Sequence, residues 1–418
     1  MIYRAQLARA ESLLTEMLGG GGAADAALSR YFRAHRNLGQ QDRAFVADTV
    51  YAVLRRRRSL EAAAQSATPR ALAIAALARV RGLSARALEG VVREEEMDLV
   101  TRVRAAKSEG FPAAVRADLP DWLWTRLVAQ QGEAEAMRIA QGLLNAAPLD
   151  LRVNLAKLPR EDALARLRAD GFEGAPTPHS PAGIRLSGKP AINRHPLFQE
   201  GAIEVQDEGS QLLAYLVAPR RGEMLADYCA GAGGKTLALA MLMRGTGRIY
   251  AMDVSAPRLA ELAPRAARAG VTSVHPIVLA GEGDARAKRL AGKLDRVLVD
   301  APCSGFGTLR RNPDLKWRHG ERAIAELAAK QAAILEVAAR LVKPGGRLVY
   351  ATCSILQEEN EAIAASFAAA HGDFSPLHCG EILAAQRIAL DAGERLRLWP
   401  HRHGCDGFFA AAYERKGK

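Results

Sequence analysis

The sequence predicts an α/β protein with three parts: an all-α N-terminal domain, a small α+β middle module and a Rossmann-like C-terminal domain. Three observations support this fold class. The first 140 residues have almost no strand-like alternation of apolar and polar residues. Short strand patterns separated by Pro and Gly begin at Leu149. After Val217, strand, turn and helix patterns alternate, which predicts a parallel, doubly wound sheet with its site at the carboxyl ends of the strands.

The predicted domains are residues 1–140, 141–205 and 206–418, since a chain of 418 residues exceeds the size of one ordinary domain. Hydrophobic residues make up 49% of the chain, which is enough for a packed core. The sequence has no apolar run of about 18 residues, and its N-terminus carries charges where a secretory signal has an apolar centre. We therefore expect a cytoplasmic protein with no membrane contact.

The N-terminal domain is predicted to be several helices, with breaks at Gly19–Gly22, Thr68–Pro69 and Gly110–Pro112. Helical periodicity in one basic stretch comes from the apolar residues Phe45, Val46, Val50, Val53 and Leu54. The arginines of that stretch are Arg30, Arg33, Arg36, Arg43 and Arg55–Arg58. Together with a formal net charge of +12, they favour nucleic acid as a partner, and a solvated basic helix is the alternative.

The middle module is predicted from three short patterns. LDLRVNL at 149–155 and GIRLSG at 183–188 have strand character. REDALARLRADGF, which lies between them, has the spacing of a helix. Together these patterns indicate a small α+β unit.

The stretch ADYCAGAGGKT, which opens the C-terminal domain, superficially resembles a phosphate-binding loop. The GxxxxGK[ST] pattern fails because Cys229 stands where its first glycine is needed. The dinucleotide pattern GxGxxG fails because its third glycine falls on Thr236. A short strand, a glycine-dense turn and a helix remain, and Gly231, Gly233 and Gly234 allow a cofactor to approach the backbone closely. An ordinary strand-to-helix turn is the alternative.

Acidic residues follow the next predicted strands. Asp253 closes RIYAMD, 22 positions after Gly231, a spacing at which a carboxylate accepts hydrogen bonds from ribose hydroxyls. Asp284 in GEGDAR and Asp300 in VLVDAPC follow the third and fourth strands. A glycine turn without a phosphate cradle, combined with ribose-binding carboxylates, suits an adenosine cofactor without pyrophosphate. S-adenosyl-L-methionine is the candidate.

Two cysteines at strand ends indicate the reaction. Cys303 lies in DAPC after the fourth strand, and Cys353 lies in ATCS after the fifth. Carbon 5 of a pyrimidine becomes nucleophilic only after a nucleophile adds at carbon 6, and a thiolate can add there and later leave. Methylation of an adenine amino group needs no thiol. The five cysteines contain no CxxC pair, so neither a disulfide framework nor a metal site is predicted.

At these residues the chain resembles the Nop/Sun family of RNA cytosine-5 methyltransferases, in particular its RsmB-like ribosomal RNA enzymes. The resemblance is carried by EGAIEVQDEGSQLLA, CAGAGGKT, DAPCSGFGTLRRNPDLKW, KPGGRLVYATCSILQEEN and DGFF, in family order over about residues 198–410. It implies a class I methyltransferase fold for the C-terminal domain. The N-terminal helices are similar to a NusB-like RNA-binding domain, and the segments LPDWLW and APLDLRVN are similar to the family's substrate-binding region.

The resemblance also implies roles for single residues. Cys353 would attack carbon 6, and Cys303 would assist in resolving the covalent adduct. Lys235 and Asp300 would lie near the target base and polarise its ring. The cofactor would be held by Cys229, Ala230, Gly231, Ala232, Gly233, Gly234, Lys235, Asp253, Asp284 and Asp300. The sequence departs from the family's usual CAAPGGK loop, because Gly231 and Ala232 stand where relatives have alanine and proline.

Two other functions stay open at this point. A DNA cytosine-5 methyltransferase would use the PC-motif cysteine as its nucleophile, and residue patterns alone do not rank the two cysteines. A non-catalytic RNA-binding assembly factor would need only the fold. The N-terminal module favours RNA, with ribosomal RNA ahead of transfer RNA as the substrate, and we expect a monomer that takes part in rRNA processing.

Overall fold

The computed structural model describes residues 4–20, 22–281 and 283–417. The chain forms two compact units, which are treated separately. The helical unit is Met1–Ala146 with Thr308–Glu321, and the sheet unit is Ala147–Gly307 with Arg322–Lys418. Gly21, within the predicted break at 19–22, and Glu282, within the GEGDAR motif, lie outside the described residues.

The elements follow one another along the chain. The α-helices are α1 (Arg4–Leu18), α2 (Ala24–Ala34), α3 (Gln40–Arg55), α4 (Arg57–Ala64), α5 (Pro69–Ala75), α6 (Ala85–Leu88), α7 (Met97–Ala105), α8 (Ala113–Arg116), α9 (Asp121–Gln131), α10 (Glu133–Leu144), α11 (Arg160–Ala169), α12 (Pro196–Gln199), α13 (Glu208–Val217), α14 (Gly234–Leu242), α15 (Ala256–Ala260), α16 (Leu262–Ala269), α17 (Ala285–Lys288), α18 (Leu315–Arg318), α19 (Glu321–Ala339), α20 (Glu361–Ala370), α21 (Cys379–Ala384) and α22 (Pro400–His403). The strands are β1 (Leu149–Val153), β2 (Gly174–Pro176), β3 (Gly183–Leu186), β4 (Ile203–Val205), β5 (Met224–Asp227), β6 (Arg248–Asp253), β7 (Val274–Val278), β8 (Leu294–Asp300), β9 (Val342–Thr352), β10 (Phe374–Leu377), β11 (Leu396–Leu398) and β12 (Phe408–Arg415).

The helical unit has the helices that the sequence predicts. The apolar residues Phe45, Val46, Val50, Val53 and Leu54, which gave the periodicity, are all buried in α3. Helix α5 begins at the predicted break, because Pro69 fits the first helical position and the Thr68 hydroxyl accepts a hydrogen bond from Ala71 N. The apolar faces of α1, α3, α5 and α7 share one core.

A segment from the C-terminal half of the chain, Thr308–Glu321, belongs to the helical unit. The buried Lys316 donates hydrogen bonds to the carbonyls of Arg55 (2.8 Å) and Asp118 (2.6 Å), and the Trp317 indole donates to Leu54 O (2.7 Å). The predicted domain boundaries assign this segment to residues 206–418. Its sequence does not indicate where it packs, because the partners are carbonyls that any residue could supply.

The sheet unit begins with a small antiparallel sheet of order β2-β3-β1-β4. The strands predicted at LDLRVNL and GIRLSG are β1 and β3, and the predicted helix is α11. Helix α11 covers the sheet through Ala163, Leu164 and Leu167, which share a core with Leu151 and Ile184. The α+β character of this module is confirmed.

The main sheet of the sheet unit has the strand order β10-β12-β9-β8-β5-β6-β7, with β11 paired to β12. Neighbouring strands from β9 to β7 are parallel. The chain runs outward from β5 to β6 and β7, and then crosses to β8 and β9 on the other side of β5. Such a reversal creates a crevice beyond the carboxyl ends of β5 and β8, where ligands bind in folds of this kind.

The predicted Rossmann-like fold is confirmed, with one difference. The sheet is mixed, because β12 is antiparallel to β9, and β10 and β11 are antiparallel to β12. These three strands come from the last part of the chain, where only the DGFF motif was noted. Strands β11 and β12 are joined by the short segment 399–407, and such a connection favours antiparallel pairing.

In the described part of the chain, no helix is long and apolar enough to cross a membrane. All five cysteines are free thiols.

Candidate active site

The carboxyl ends of the five parallel strands β5 to β9 in the sheet unit border one cavity of about 460 Å³. Cys229 follows β5, Asp253 is the last residue of β6, Asp300 is the last residue of β8, and Cys303 and Cys353 follow β8 and β9. The structure thus brings together five side chains that the sequence predicted as site residues. They are brought together because parallel strands end at the same edge of a sheet.

The glycine turn between β5 and α14 needs glycine at two positions. Gly231 has φ +53°, and a side chain there would meet the Arg258 guanidinium at 2.4 Å. Gly233 has φ +82°, and a side chain there would lie 2.1 Å from the Leu262 methyl. Gly231 N donates to Asp253 Oδ2 at 2.8 Å, which joins the turn to the carboxylate of β6. The missing side chain at Gly231 leaves room for the Arg258 guanidinium, and glycine also tolerates the positive φ.

Two arginines fix the rest of this turn through its carbonyls. Arg265 donates to Ala232 O at 2.6 Å, and Arg152, which is buried on β1, donates to Gly234 O at 2.8 Å. Ala230 N pairs with Met252 O at 2.9 Å. Hydrogen bonds to the backbone groups of the loop Ala230–Gly234 therefore fix its conformation. The sequence did not point to either arginine. Each one binds a backbone carbonyl, and because every residue type has that group, the turn carries no sign of its partner.

Lys235 and Asp300 form an ion pair beside the cavity, with 2.6 Å between Lys235 Nζ and Asp300 Oδ2. Burial lowers the pKa of Lys235, but the charge of Asp300 and the hydrogen bond to it outweigh burial, so the pKa is raised overall. A negative charge on Cys353 also raises the pKa of Lys235. Lys235 therefore stays an ammonium at neutral pH.

The sulfur atoms of Cys303 and Cys353 lie 3.4 Å apart. The hydrogen bond to Cys353, then burial, and then the charges of Cys353 and Glu359 raise the pKa of Cys303 well above its usual value. Cys303 is consequently a neutral thiol at neutral pH. Both cysteines are half-buried and border the cavity.

The chemistry of Cys229 differs from that of the pair. Burial, followed by the charges of Asp300, Asp227 and Asp253, raises its pKa well above the ordinary value. Cys229 therefore contributes an apolar wall rather than a nucleophile. Burial also raises the pKa of Asp227, the last residue of β5, to about 7, although its hydrogen bond from Thr236 opposes that shift.

The carboxylate of Asp284 is hydrogen-bonded to groups close to it in the chain. It accepts hydrogen bonds from Arg286 and from the backbone N–H of Ala280 and Arg286, which lower its pKa. Asp284 caps the short helix α17 and is not among the residues that border the 460 Å³ cavity. Its predicted contact with a cofactor remains a prediction.

Several cavity residues were not predicted from the sequence. Val254, next to Asp253, is 59% exposed, which is unusual for a large apolar side chain in a pocket wall. Lys330 on α19 and Arg258 on α15 supply positive charge. The position of Val254 directly after the acidic end of a strand was the available signal. The sequence contains no signal for cavity residues on α19, because this helix is far along the chain from the other residues of the site.

The helical unit contains a second cavity, of about 730 Å³. Four arginines border it: Arg56, Arg79, Arg104 and Arg116. Of the predicted basic stretch, only Arg56 faces this cavity. Arg55 and Arg58 donate to the backbone carbonyls of Arg310 and Leu119, and Arg57 pairs with Glu61.

Comparison with known proteins identifies the family. A family model described as 16S rRNA methyltransferase RsmB/F matches residues 214–414, and one described as the Methyltr_RsmF/B-like, ferredoxin-like domain matches residues 119–193. The probable ribosomal RNA small subunit methyltransferase B of Bacillus subtilis is 34% identical over 311 residues, which are 73% of this chain and 68% of that protein. The chain belongs to the RsmB/F family of 16S rRNA methyltransferases. The resemblance drawn from the motifs is confirmed.

Other members of the RsmB/F family align similarly. The probable ribosomal RNA small subunit methyltransferase B of Synechocystis is 39% identical over 70% of this chain, and the alignment spans 66% of that relative's length. Among solved structures, PH0851 superimposes with a TM-score of 0.80 at 27% identity over 99% of both chains. A methyltransferase homolog protein from Pyrococcus horikoshii gives 0.62 at 31% identity, covering 72% of this chain and 97% of that one. The fold expected of the family is therefore present.

No cluster of three or more metal-ligating side chains occurs in residues 4–20, 22–281 and 283–417.

Proposed function

We propose that this protein transfers a methyl group from S-adenosyl-L-methionine to carbon 5 of a cytosine in RNA, with ribosomal RNA as the substrate class. The observation that carries the proposal is the 3.4 Å approach of the Cys303 and Cys353 sulfurs beside the Lys235–Asp300 ion pair. Membership of a 16S rRNA methyltransferase family supports the choice of RNA.

The cavity suits the proposed cofactor. Its volume of about 460 Å³ lies within the range of small-molecule sites. The exposed Val254 offers an apolar face for adenine, and Asp253 offers acceptor capacity for ribose hydroxyls. When bound, the cofactor supplies an electrophilic methyl group on a sulfonium.

In the proposed reaction, Cys353 provides the covalent bond to the base. Its thiolate adds to carbon 6 of the cytosine, and the ring becomes an enamine whose carbon 5 is nucleophilic. After methyl transfer, carbon 5 gives its proton to solvent, the electron pair of that bond forms the double bond between carbons 5 and 6, and the carbon–sulfur bond breaks to return the thiolate of Cys353.

Cys303 would act on the last step. Its thiol faces the Cys353 sulfur at 3.4 Å and can donate a hydrogen bond to that sulfur as negative charge returns to it. The raised pKa of Cys303 keeps this proton in place at neutral pH. Lys235 and Asp300 complete the site, since one can donate to and the other accept from the polar edge of a cytosine. A target base must leave its stack to reach these groups.

The arginine-lined cavity of the helical unit is proposed to contact RNA phosphates. The guanidinium groups of Arg56 and Arg116 have no hydrogen-bond or ion-pair partner among the described residues, whereas Arg79 is fixed by the carbonyls of Val103 and Ala106. Unpaired guanidinium groups that face one cavity suit phosphate oxygens, with which arginine forms paired hydrogen bonds.

The test uses labelled S-adenosyl-L-methionine with RNA from a strain that lacks the gene. We expect label in RNA with the wild-type protein, none with Cys353→Ala, and a protein–RNA adduct that resists denaturant with Cys303→Ala. Bisulfite sequencing at single positions then identifies the cytosine. Full activity of Cys353→Ala, or label transferred to DNA and not to RNA, would overturn the proposal.

A further inference from the structure

Behind the two thiols, one buried carboxylate connects the loops that carry them. Glu359 is fully buried, and its Oε1 accepts a hydrogen bond from Ser304 N at 2.8 Å. Its Oε2 accepts from Ser304 Oγ and from Ser354 Oγ, each at 2.5 Å. Ser304 follows Cys303 in the chain and Ser354 follows Cys353. A single side chain therefore bridges the residues next to both sulfurs.

The bridge has further support from buried neighbours. Gln331 Nε2 donates to Glu359 Oε1 and to Pro302 O, each at 3.0 Å, and the Tyr350 hydroxyl donates to Glu359 O at 2.5 Å. These side chains are all buried. Hydrogen bonds in a buried network are strong because the local dielectric constant is low. A buried donor that loses its acceptor lowers the stability of the fold.

We propose that Glu359 is a positioning residue that holds the two cysteine loops together so that both sulfur atoms reach the same base. The two serines and the two cysteines approach each other to a similar distance. The Ser304 and Ser354 hydroxyl oxygens are 3.2 Å apart, and the Cys303 and Cys353 sulfurs are 3.4 Å apart. The inference rests on the proposed function for the identity of that base, but the positioning of the thiols can be measured without RNA.

Two consequences follow from this arrangement. Removing the carboxylate releases both serine hydroxyls and Ser304 N, so the loops lose their shared anchor. Since a displacement of about 1 Å in a reacting group can reduce a rate by about 100-fold, the loss appears in turnover rather than in cofactor binding. The charge of Glu359 also contributes to the raised pKa of Cys303, after the hydrogen bond to Cys353 and burial.

The first experiment measures thiol proximity directly. Diamide oxidises two neighbouring thiols to a disulfide: its N=N bond takes up both thiol hydrogens and becomes a hydrazine. The rate of Cys303–Cys353 linkage, followed by peptide mass spectrometry, is compared for wild type, Glu359→Gln and Glu359→Ala. We expect linkage to slow at least several-fold in Glu359→Ala and less in Glu359→Gln, because glutamine retains one acceptor oxygen.

A matched control separates positioning from general destabilisation. Tyr413→Phe removes a buried hydrogen bond in the same unit, from the Tyr413 hydroxyl to Ala364 O at 2.8 Å, away from the thiols. It should leave the linkage rate unchanged. Thermal unfolding of every variant is measured, and Ser304→Ala and Ser354→Ala replace Glu359→Ala if that protein does not fold.

The second experiment measures kcat and KM for labelled methyl transfer to RNA. For Glu359→Ala we expect kcat to fall by roughly 10- to 100-fold while KM for S-adenosyl-L-methionine stays within about two-fold. Unchanged linkage in Glu359→Ala and in both serine variants would overturn the inference. If wild type transfers no methyl group but linkage still slows in Glu359→Ala, the proposed function fails and the positioning role stands.

Discussion

Lys235 and Asp300 form a 2.6 Å ion pair that joins the start of α14 to the carboxyl end of β8. Lys235 stands in the first turn of α14, and Asp300 is the last residue of β8, 65 positions further along the chain. Their side chains are 14% and 26% exposed, so the pair is largely shielded from water, and Asp300 borders the cavity that both thiols line. Interactions of such a pair with a bound base are stronger than they would be in water.

Replacing either partner of this pair should impair turnover. Lys235→Met removes the buried ammonium of the pair, and Asp300→Asn removes the charge that raises the pKa of Lys235. We expect kcat for RNA methylation to fall by roughly 100- to 1000-fold in each case. Lys343→Met, which breaks the ion pair with Asp295 near the start of β8, is the control. Activity within two-fold of wild type in Lys235→Met would contradict the role.

The two strained glycines of the turn should respond unequally to alanine. At Gly231, only the end of the flexible Arg258 side chain must move, so Gly231→Ala mainly costs the left-handed backbone conformation, about 1 kcal/mol. At Gly233 the new methyl also overlaps Leu262 inside a core, which adds roughly 1–3 kcal/mol. Titration calorimetry with S-adenosyl-L-methionine should show weaker binding for Gly233→Ala than for Gly231→Ala. Equal losses would refute this order.

The buried Lys316 should make the stability of the protein depend on pH. Burial lowers its pKa to about 7, against about 10.5 in the unfolded chain. At a pH between these two values, Lys316 binds more protons in the unfolded state than in the folded state. The contribution of Lys316 to the free energy of unfolding therefore rises with pH above 7. Wild type should gain roughly 1–3 kcal/mol over Lys316→Met between pH 7 and 9, as measured by chemical denaturation. A difference that is constant with pH would contradict the shift.

The arginine cavity of the helical unit can be tested through salt dependence. The triple variant Arg56→Ala, Arg104→Ala, Arg116→Ala should bind 16S rRNA more weakly. It should also reduce the slope of log K against log salt by about 2, because each lost phosphate contact contributes about 0.7–0.9. The control is Arg33→Ala, Arg86→Ala, Arg102→Ala, which removes the same charge from residues that do not border the cavity. An equal effect of the two triples would show that only net charge matters.

Much of the fold was predictable from local patterns. RIYAMD is β6 residue for residue, and the strands predicted at LDLRVNL and GIRLSG are β1 and β3. The mixed edge of the sheet was not predicted, because pairing of β12 with β9 joins residues more than 50 positions apart. The direction of a strand depends on the path of the chain between strands, and the periodicity of apolar residues does not reveal that path.

By itself, the sequence determined which residues have chemistry to offer: the glycine turn, the acidic strand ends, and Cys303 and Cys353, each recognisable because a motif is local. Only the tertiary structure decided their distances and partners. It set the sulfurs 3.4 Å apart, paired Lys235 with Asp300 and linked both cysteine loops through Glu359. The physical reason is that these contacts join separate strand ends across a crevice, and hydrogen bonds of that kind leave no periodic or compositional signal in the chain.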